Sequence, residues 1–135
     1  FILEFEVKVD KGLNSGVQFR SHVRDGQACG YQVEVESSPG ESGHVWDEDR
    51  RRRWLSEGLE KTKNVFQNGT WNKFRVKCRG DRIKTWVNGT PVASITDDVT
   101  GSGFIGLQLH AMGAHDEPLH VRWRNIRLKP FKAGN

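Results

Sequence analysis

Glu34 and Glu36 stand two residues apart in the alternating run Tyr31-Gln32-Val33-Glu34-Val35-Glu36. On an extended strand, positions i and i+2 project from one face, which separates the two Cβ atoms by roughly 6.5–7 Å. That spacing suits a glycosidase pair, in which one group donates a proton and the other attacks or activates water. It also suits two carboxylates on a solvated strand. A third titratable group, His110, closes the run Gly106-Leu107-Gln108-Leu109-His110; an imidazole there acts as acid or base near neutral pH, or as a structural hydrogen bonder. By parity, the outward faces of four strands collect Gln18 and Arg20, then Gln32, Glu34 and Glu36, then Trp86, then Gln108 and His110. Amides and carboxyls bind sugar hydroxyls while an indole covers the apolar face of the ring. If the four strands are neighbours, this mixture points to a carbohydrate. A plain wet sheet face accounts for Glu, Arg and Gln, less readily for Trp86 and His110.

The elements that must hold these groups alternate with a period of two from end to end. Phe1, Leu3, Phe5, Val7 and Val9 oppose Glu4, Glu6 and Lys8, and Phe74, Val76 and Cys78 oppose Arg75, Lys77 and Arg79. Ile105, Leu107 and Leu109 oppose Gln108, His110 and Met112. Each run predicts a half-buried strand. Asn88-Gly89 predicts a two-residue hairpin turn, because both residues tolerate positive φ. Val121 and Trp123 share one parity while Ile126 and Leu128 share the other, which predicts a β-bulge near Asn125. Between Ser37 and Asn68 the alternation lapses; a connection this long usually has a task or is disordered, and its Trp46 and Trp54 favour a task. No stretch keeps a 3.6-residue period. The expected fold is therefore all-β, seven to nine short strands in a sandwich of two antiparallel sheets.

The 135 residues suffice for a single domain spanning 1–135, and seven Phe with five Trp supply a core despite a hydrophobic fraction of 35%. The run begins inside a strand, which reads as a domain lacking one or more N-terminal strands. A net charge of +4 arises from 21 basic against 17 acidic residues. The dense block Arg50 to Arg53 suits either an anion or a solvated loop. No nucleic-acid-binding motif and no membrane-spanning segment is present. Cys29 and Cys78 lack the CxxC spacing of a zinc site, and Cys78 reads as a buried thiol beside Phe74 and Val76. Asp47, Glu48 and Asp49, Asp97-Asp98, and His110 with His115, Asp116, Glu117 and His120 offer metal donors, but their spacing selects no site.

A series of short motifs then carries a resemblance across Phe1 to about Lys129: Asn14-Ser15-Gly16-Val17-Gln18-Phe19-Arg20, Gly30-Tyr31-Gln32-Val33-Glu34-Val35, Trp71-Asn72-Lys73-Phe74-Arg75-Val76, Trp86-Val87-Asn88-Gly89, Gly106 to His110, and Arg122 to Leu128. In this order they are similar to the 3-keto-disaccharide hydrolase family. The resemblance implies a concanavalin A-like jelly roll and an enzyme, in a periplasmic or extracellular setting, that cleaves glycosides already oxidised at C3. A C3 ketone acidifies the C2 hydrogen, so a base forms an enolate, the glycosidic oxygen leaves from C1, and water adds back. By this resemblance Arg20, with a possible divalent cation, stabilises the enolate, Glu34 or His110 moves the proton, and Gln18, Gln32, Glu36, Trp54, Trp86 and Gln108 hold the sugar. Many members carry Tyr-Glu-apolar-Gln followed by Asp where this chain has Tyr31-Gln32-Val33-Glu34 and then Ser37, and many carry His at Thr85. The alternative expectation is a carbohydrate-binding module without catalysis, in which Trp46, Trp54 or Trp86 forms a stacking platform.

Overall fold

The computed structural model describes residues 1–111 and 113–132, so Met112, expected on the polar side of its strand, lies outside the described residues. Among the described residues nine strands form: β1 (Ile2–Val9), β2 (Asn14–Arg24), β3 (Gln27–Glu36), β4 (Val45–Glu48), β5 (Asn72–Arg79), β6 (Arg82–Val87), β7 (Thr90–Thr96), β8 (Phe104–Leu109) and β9 (Val121–Lys129). They pair antiparallel into a five-stranded sheet of order β7-β6-β5-β1-β9 and a four-stranded sheet of order β4-β3-β2-β8. The all-β jelly-roll sandwich follows from the alternation: Leu3, Phe5, Val7 and Val9 of β1, and Phe74, Val76 and Cys78 of β5, face Val17, Phe19, Tyr31, Val33 and Val35 across the core. The one helical turn, Leu59–Thr62 in the long crossover, lies where no helix was expected.

Asn88 and Gly89 both take positive φ and turn β6 into β7, as their types require. Asn125 takes φ 53° and the β1–β9 register slips between Glu4 and Glu6, which lets Val121 and Trp123, then Ile126 and Leu128, face the same way. A second bulge was not visible in the alternation. In β2 the register slips between Phe19 and His22, so Arg20 and Ser21 together oppose one residue of β3, and Arg20 takes φ 48°. Gly30 makes this possible, because a Cβ there would lie 2.3 Å from Ser21 Oγ.

The two sheets are tied at their β3/β4 and β6/β7 sides. Thr85 Oγ1 donates to the carbonyl of Gly43 at 2.6 Å and accepts from Ala93 N at 3.0 Å, and Gly43 has no room for a Cβ against Val87. Thr85 is thus a fastener between the sheets. Along the opposite side, where β8 and β9 are the edge strands, the core-facing side chains stay exposed: Leu107 at 48%, Leu109 at 79%, Ile126 at 50% and Leu128 at 54%. Cys29 and Cys78 are both buried and unpaired, and burial pushes the Cys78 thiol up to about 11. None of the helical residues described is long and apolar enough to cross a membrane.

This uneven burial sets the cost of truncation. Leu3→Ala, inside the closed half of the core, lowers unfolding stability by about 2–5 kcal/mol. Leu109→Ser, on the open edge, changes it by less than about 0.5 kcal/mol in urea titration.

Candidate functional site

Gln18, Gln32, Glu34 and Gln108 lie on the outer face of the four-stranded sheet, and a directional hydrogen-bond chain joins them. Ser21 Oγ donates to Gln18 Oε1 at 2.6 Å, Gln18 Nε2 donates to Gln32 Oε1 at 2.8 Å, and Gln32 Nε2 donates to Glu34 Oε1 at 2.6 Å. The same Gln32 amide reaches Gln108 Oε1 at 3.3 Å. Gly16 leaves the space for it, since a Cβ at that position would fall 2.6 Å from Gln32 Cδ. Once laid in this trough, the chain of amides fixes the direction in which Glu34 receives its hydrogen bond.

Above this floor a groove of about 430 Å³ is lined by Asn14, Gln32, Glu34, Glu41, Trp46, Glu48, Trp54, Gln108 and His110. Burial pushes the Glu34 carboxyl up to about 8; the Gln32 hydrogen bond opposes this, and the nearby carboxyls of Glu48, Glu36 and Glu41 add to it. Glu34 is therefore mostly the neutral acid at pH 7. Glu41 and Glu48 are also raised, chiefly by burial, with His110 partly offsetting the effect at Glu48. The described lining contains no Lys or Arg. Such a raised acid in a groove is a mark of functional sites more often than of structural faces.

The long crossover builds the groove wall. Asp47, with no exposure, takes Arg50 Nε at 2.5 Å and also binds Arg51, while the Arg50 guanidinium lies 4.5 Å over the Tyr31 ring. Arg51 Nη1 reaches on to Asp97 at 2.8 Å. Arg50, Arg51 and Arg52 of the arginine block are thus paired, with Asp47, Asp49 and Asp97 of the acidic turns as their partners, while Arg53 is exposed. This knot folds the segment back so that Trp46 and Trp54 bridge, their rings 5.2 Å apart and edge-to-face. Behind them His44 is fully buried, with Nδ1 2.8 Å from Ser56 Oγ and Nε2 2.8 Å from Thr62 Oγ1. Burial lowers its pKa, so it stays neutral and braces the loop.

The structure brings Gln32, Glu34, Trp54, Gln108 and His110 to one groove, with Gln18 beneath it. His110 is exposed at its mouth, and its Nδ1 lies 2.7 Å from the Ala111 carbonyl, which suits an N–H donor there and leaves Nε2 as the acceptor. Three expected residues lie elsewhere. The β2 bulge reverses the parity at Arg20, whose guanidinium donates to Gly80 O at 2.8 Å beside Phe1. Trp86 belongs to β6 in the other sheet, packed under Arg75 with 5.6 Å from guanidinium carbon to ring centroid. Glu36, although on the same face, is occupied by Asn14 and by Ser38 N at 3.2 Å rather than lining the groove. Asn14, Trp46 and Glu48 join the lining instead; the first extends the parity of β2, and the other two share one parity of β4. Glu41 lies outside any strand and had no such signal. Among the described residues no three His, Cys, Asp or Glu side chains are placed to hold a metal ion.

A family model described as the 3-keto-alpha-glucoside-1,2-lyase-like domain matches residues 1–129. No curated protein matches the chain. Among solved structures, the carbohydrate-binding module CBM66 from Bacillus subtilis superposes with a TM-score of 0.68 at 17% identity, covering 93% of this chain and 72% of that one. Two proteins from Parabacteroides distasonis, each titled as a candidate glycosyl hydrolase, give TM-scores of 0.61 and 0.62 at 23% and 14% identity. They too cover 93% of this chain, and 75% and 69% of their own lengths. At these identities the likeness speaks for the fold.

The raised carboxyl has a measurable consequence. A group whose folded pKa is above its unfolded value contributes most stability below the unfolded value and loses it as pH rises toward the folded one. Glu34 therefore costs stability between its ordinary 4.5 and about 8. Glu34→Gln keeps an acceptor for Gln32 and removes this cost, stabilising the fold by roughly 3 kcal/mol at pH 7.5 and little at pH 4.5. Urea titrations at the two pH values check it.

Proposed function

The chain belongs to the 3-keto-alpha-glucoside-1,2-lyase-like domain family, and from that premise we propose that the groove on the four-stranded sheet binds a carbohydrate. The observation that carries this reading is the pairing of apolar and polar surfaces in one groove. The Trp46 and Trp54 indoles stand on one side, and Asn14, Gln32, Glu34 and Gln108 offer donors and acceptors to hydroxyls on the floor. A pyranose presents that combination of apolar ring face and hydroxyl rim. The groove's volume of about 430 Å³ is on the scale of a mono- or disaccharide. Its likeness in fold to a carbohydrate-binding module and to candidate glycosyl hydrolases is consistent with the same ligand class.

A second reading, catalysis on a 3-keto-glycoside, is favoured by the state of Glu34. A carboxylic acid held neutral at pH 7 donates a hydrogen bond to a developing oxyanion. In this role Glu34 donates to the C3 oxygen while His110 Nε2 takes the proton from C2. The C2–H electron pair forms the enolate, the enolate then expels the aglycone oxygen from C1, and that oxygen leaves with the proton that His110 took from C2. Addition of water to the C1–C2 double bond places hydroxyl on C1 and returns hydrogen to C2. Arg20 has no part in this, since its guanidinium is bound at Gly80 away from the groove. The binding reading stands without any of these steps.

Both are checked by tryptophan fluorescence titration with glycans, together with assays on 3-keto-glycosides and their unoxidised parents. Binding requires saturable quenching that Trp54→Ala weakens at least tenfold. Catalysis requires aglycone release from the keto substrates alone, with Glu34→Gln lowering kcat by about 10²–10³ while binding persists. Binding without release leaves a module, and quenching unaffected by Trp54→Ala rejects the groove.

A further inference from the structure

The outer face of the five-stranded sheet breaks a rule of sheet stability. Lys77 of β5 lies directly opposite Lys84 of β6, and Arg79 lies opposite Arg82. Like charges placed directly across a strand pair are destabilising. Two other cations of the face are answered: Arg75 meets Glu4 at 3.6 Å and Arg124 meets Glu6 at 3.2 Å. Lys73, Lys77, Arg79, Arg82 and Lys84 have no carboxylate within ion-pair distance among the described residues. A local rule broken without compensation marks a surface shaped by something other than folding.

The same surface is grooved, and the lining of its two depressions includes one aromatic ring, with Phe131 lying 5.8 Å from the Arg79 guanidinium beyond them. A depression of about 460 Å³ is lined by Glu4, Lys73, Arg75, Lys77, Trp86 and Gly89. A second, of about 290 Å³, is lined by Lys77, Arg79, Arg82, Lys84 and Trp86. They share Lys77 and Trp86, so they form one track with the indole at its middle. From Lys73 to Arg79 the track runs roughly 20 Å at the strand rise per residue.

We propose that this track binds an anionic polysaccharide, its acid groups on the opposed Lys77/Lys84 and Arg79/Arg82 pairs and one sugar ring on Trp86. Charge complementarity selects a polyanion, because an acid group between two opposed cations removes the repulsion that folding leaves in place. The single ring selects among polyanions. Single-stranded nucleic acid is held by successive aromatic platforms, and the track has one; an anionic membrane is entered by a row of apolar side chains, and β5 and β6 point only Trp86 outward. The site is on the sheet opposite the carbohydrate groove and is independent of it.

The test is affinity electrophoresis and calorimetry of the whole chain with polygalacturonate, neutral dextran and poly(dT). Polygalacturonate is expected to bind, more weakly as salt rises, and dextran to show no binding that Lys77→Gln/Lys84→Gln weakens. Lys77→Gln/Lys84→Gln is expected to weaken binding at least tenfold while raising Tm, since it removes the like-charge pair; Trp86→Ala is expected to weaken binding several-fold at unchanged salt dependence. Lys11→Gln/Lys61→Gln makes the same change in net charge off the track and leaves binding intact. Equal loss in Lys11→Gln/Lys61→Gln, absence of polygalacturonate binding, or tighter binding of poly(dT) overturns the proposal.

Discussion

Glu34 is held almost out of water, 5% exposed, and the arrangement of the four-stranded sheet follows from that constraint. A carboxyl in this position is stable only as the neutral acid or with strong hydrogen bonds to its charged form. The sheet supplies one donor, Gln32 Nε2, and surrounds it with further carboxyls rather than cations. To aim that donor, Gln32 is itself held by Gln18, and Gln18 by Ser21. The β2 bulge is what turns Ser21 onto this face, and it turns Arg20 off it. One backbone irregularity therefore completes the polar floor and takes the Arg20 guanidinium off that face.

The groove wall depends on a separate piece of electrostatics. Asp47 gathers Arg50 and Arg51, Arg51 extends to Asp97, and the crossover is thereby closed onto the sheet with Trp54 against Trp46. Burying a carboxylate is tolerated because it is multiply paired. His44, neutral between two hydroxyls, fills the space behind the indoles. A rigid wall of two indoles over a floor of amides is the pre-organised surface that a weakly held ligand such as a sugar needs.

Parity was a sound guide wherever a strand was regular. Gln18, Gln32, Glu34, Gln108 and His110 were placed on one face because β3, β2 and β8 are hydrogen-bonded neighbours without irregularity at those positions. The bulge at Asn125 was readable because it left a phase change in the apolar residues. The bulge at Arg20 was not, because Val23, the one apolar residue beyond it in β2, keeps the parity of Val17 and Phe19 in the sequence and so leaves no phase change. Trp86 failed for another reason: alternation gives the face of a strand but not the sheet it joins. The Asp47 knot depends on contacts across the crossover, and only the length of that segment and its two Trp hinted at a role.

The floor of the groove is arranged around the neutral carboxyl of Glu34. Carbon-13 NMR titration of the Glu34 side-chain carboxyl, assigned by its absence in Glu34→Gln, tests it most directly. A midpoint near 8, moved by a glycan that fills the groove, is the result predicted. A midpoint near the ordinary 4.5, unchanged by glycan, would contradict both the buried acid and the site built around it.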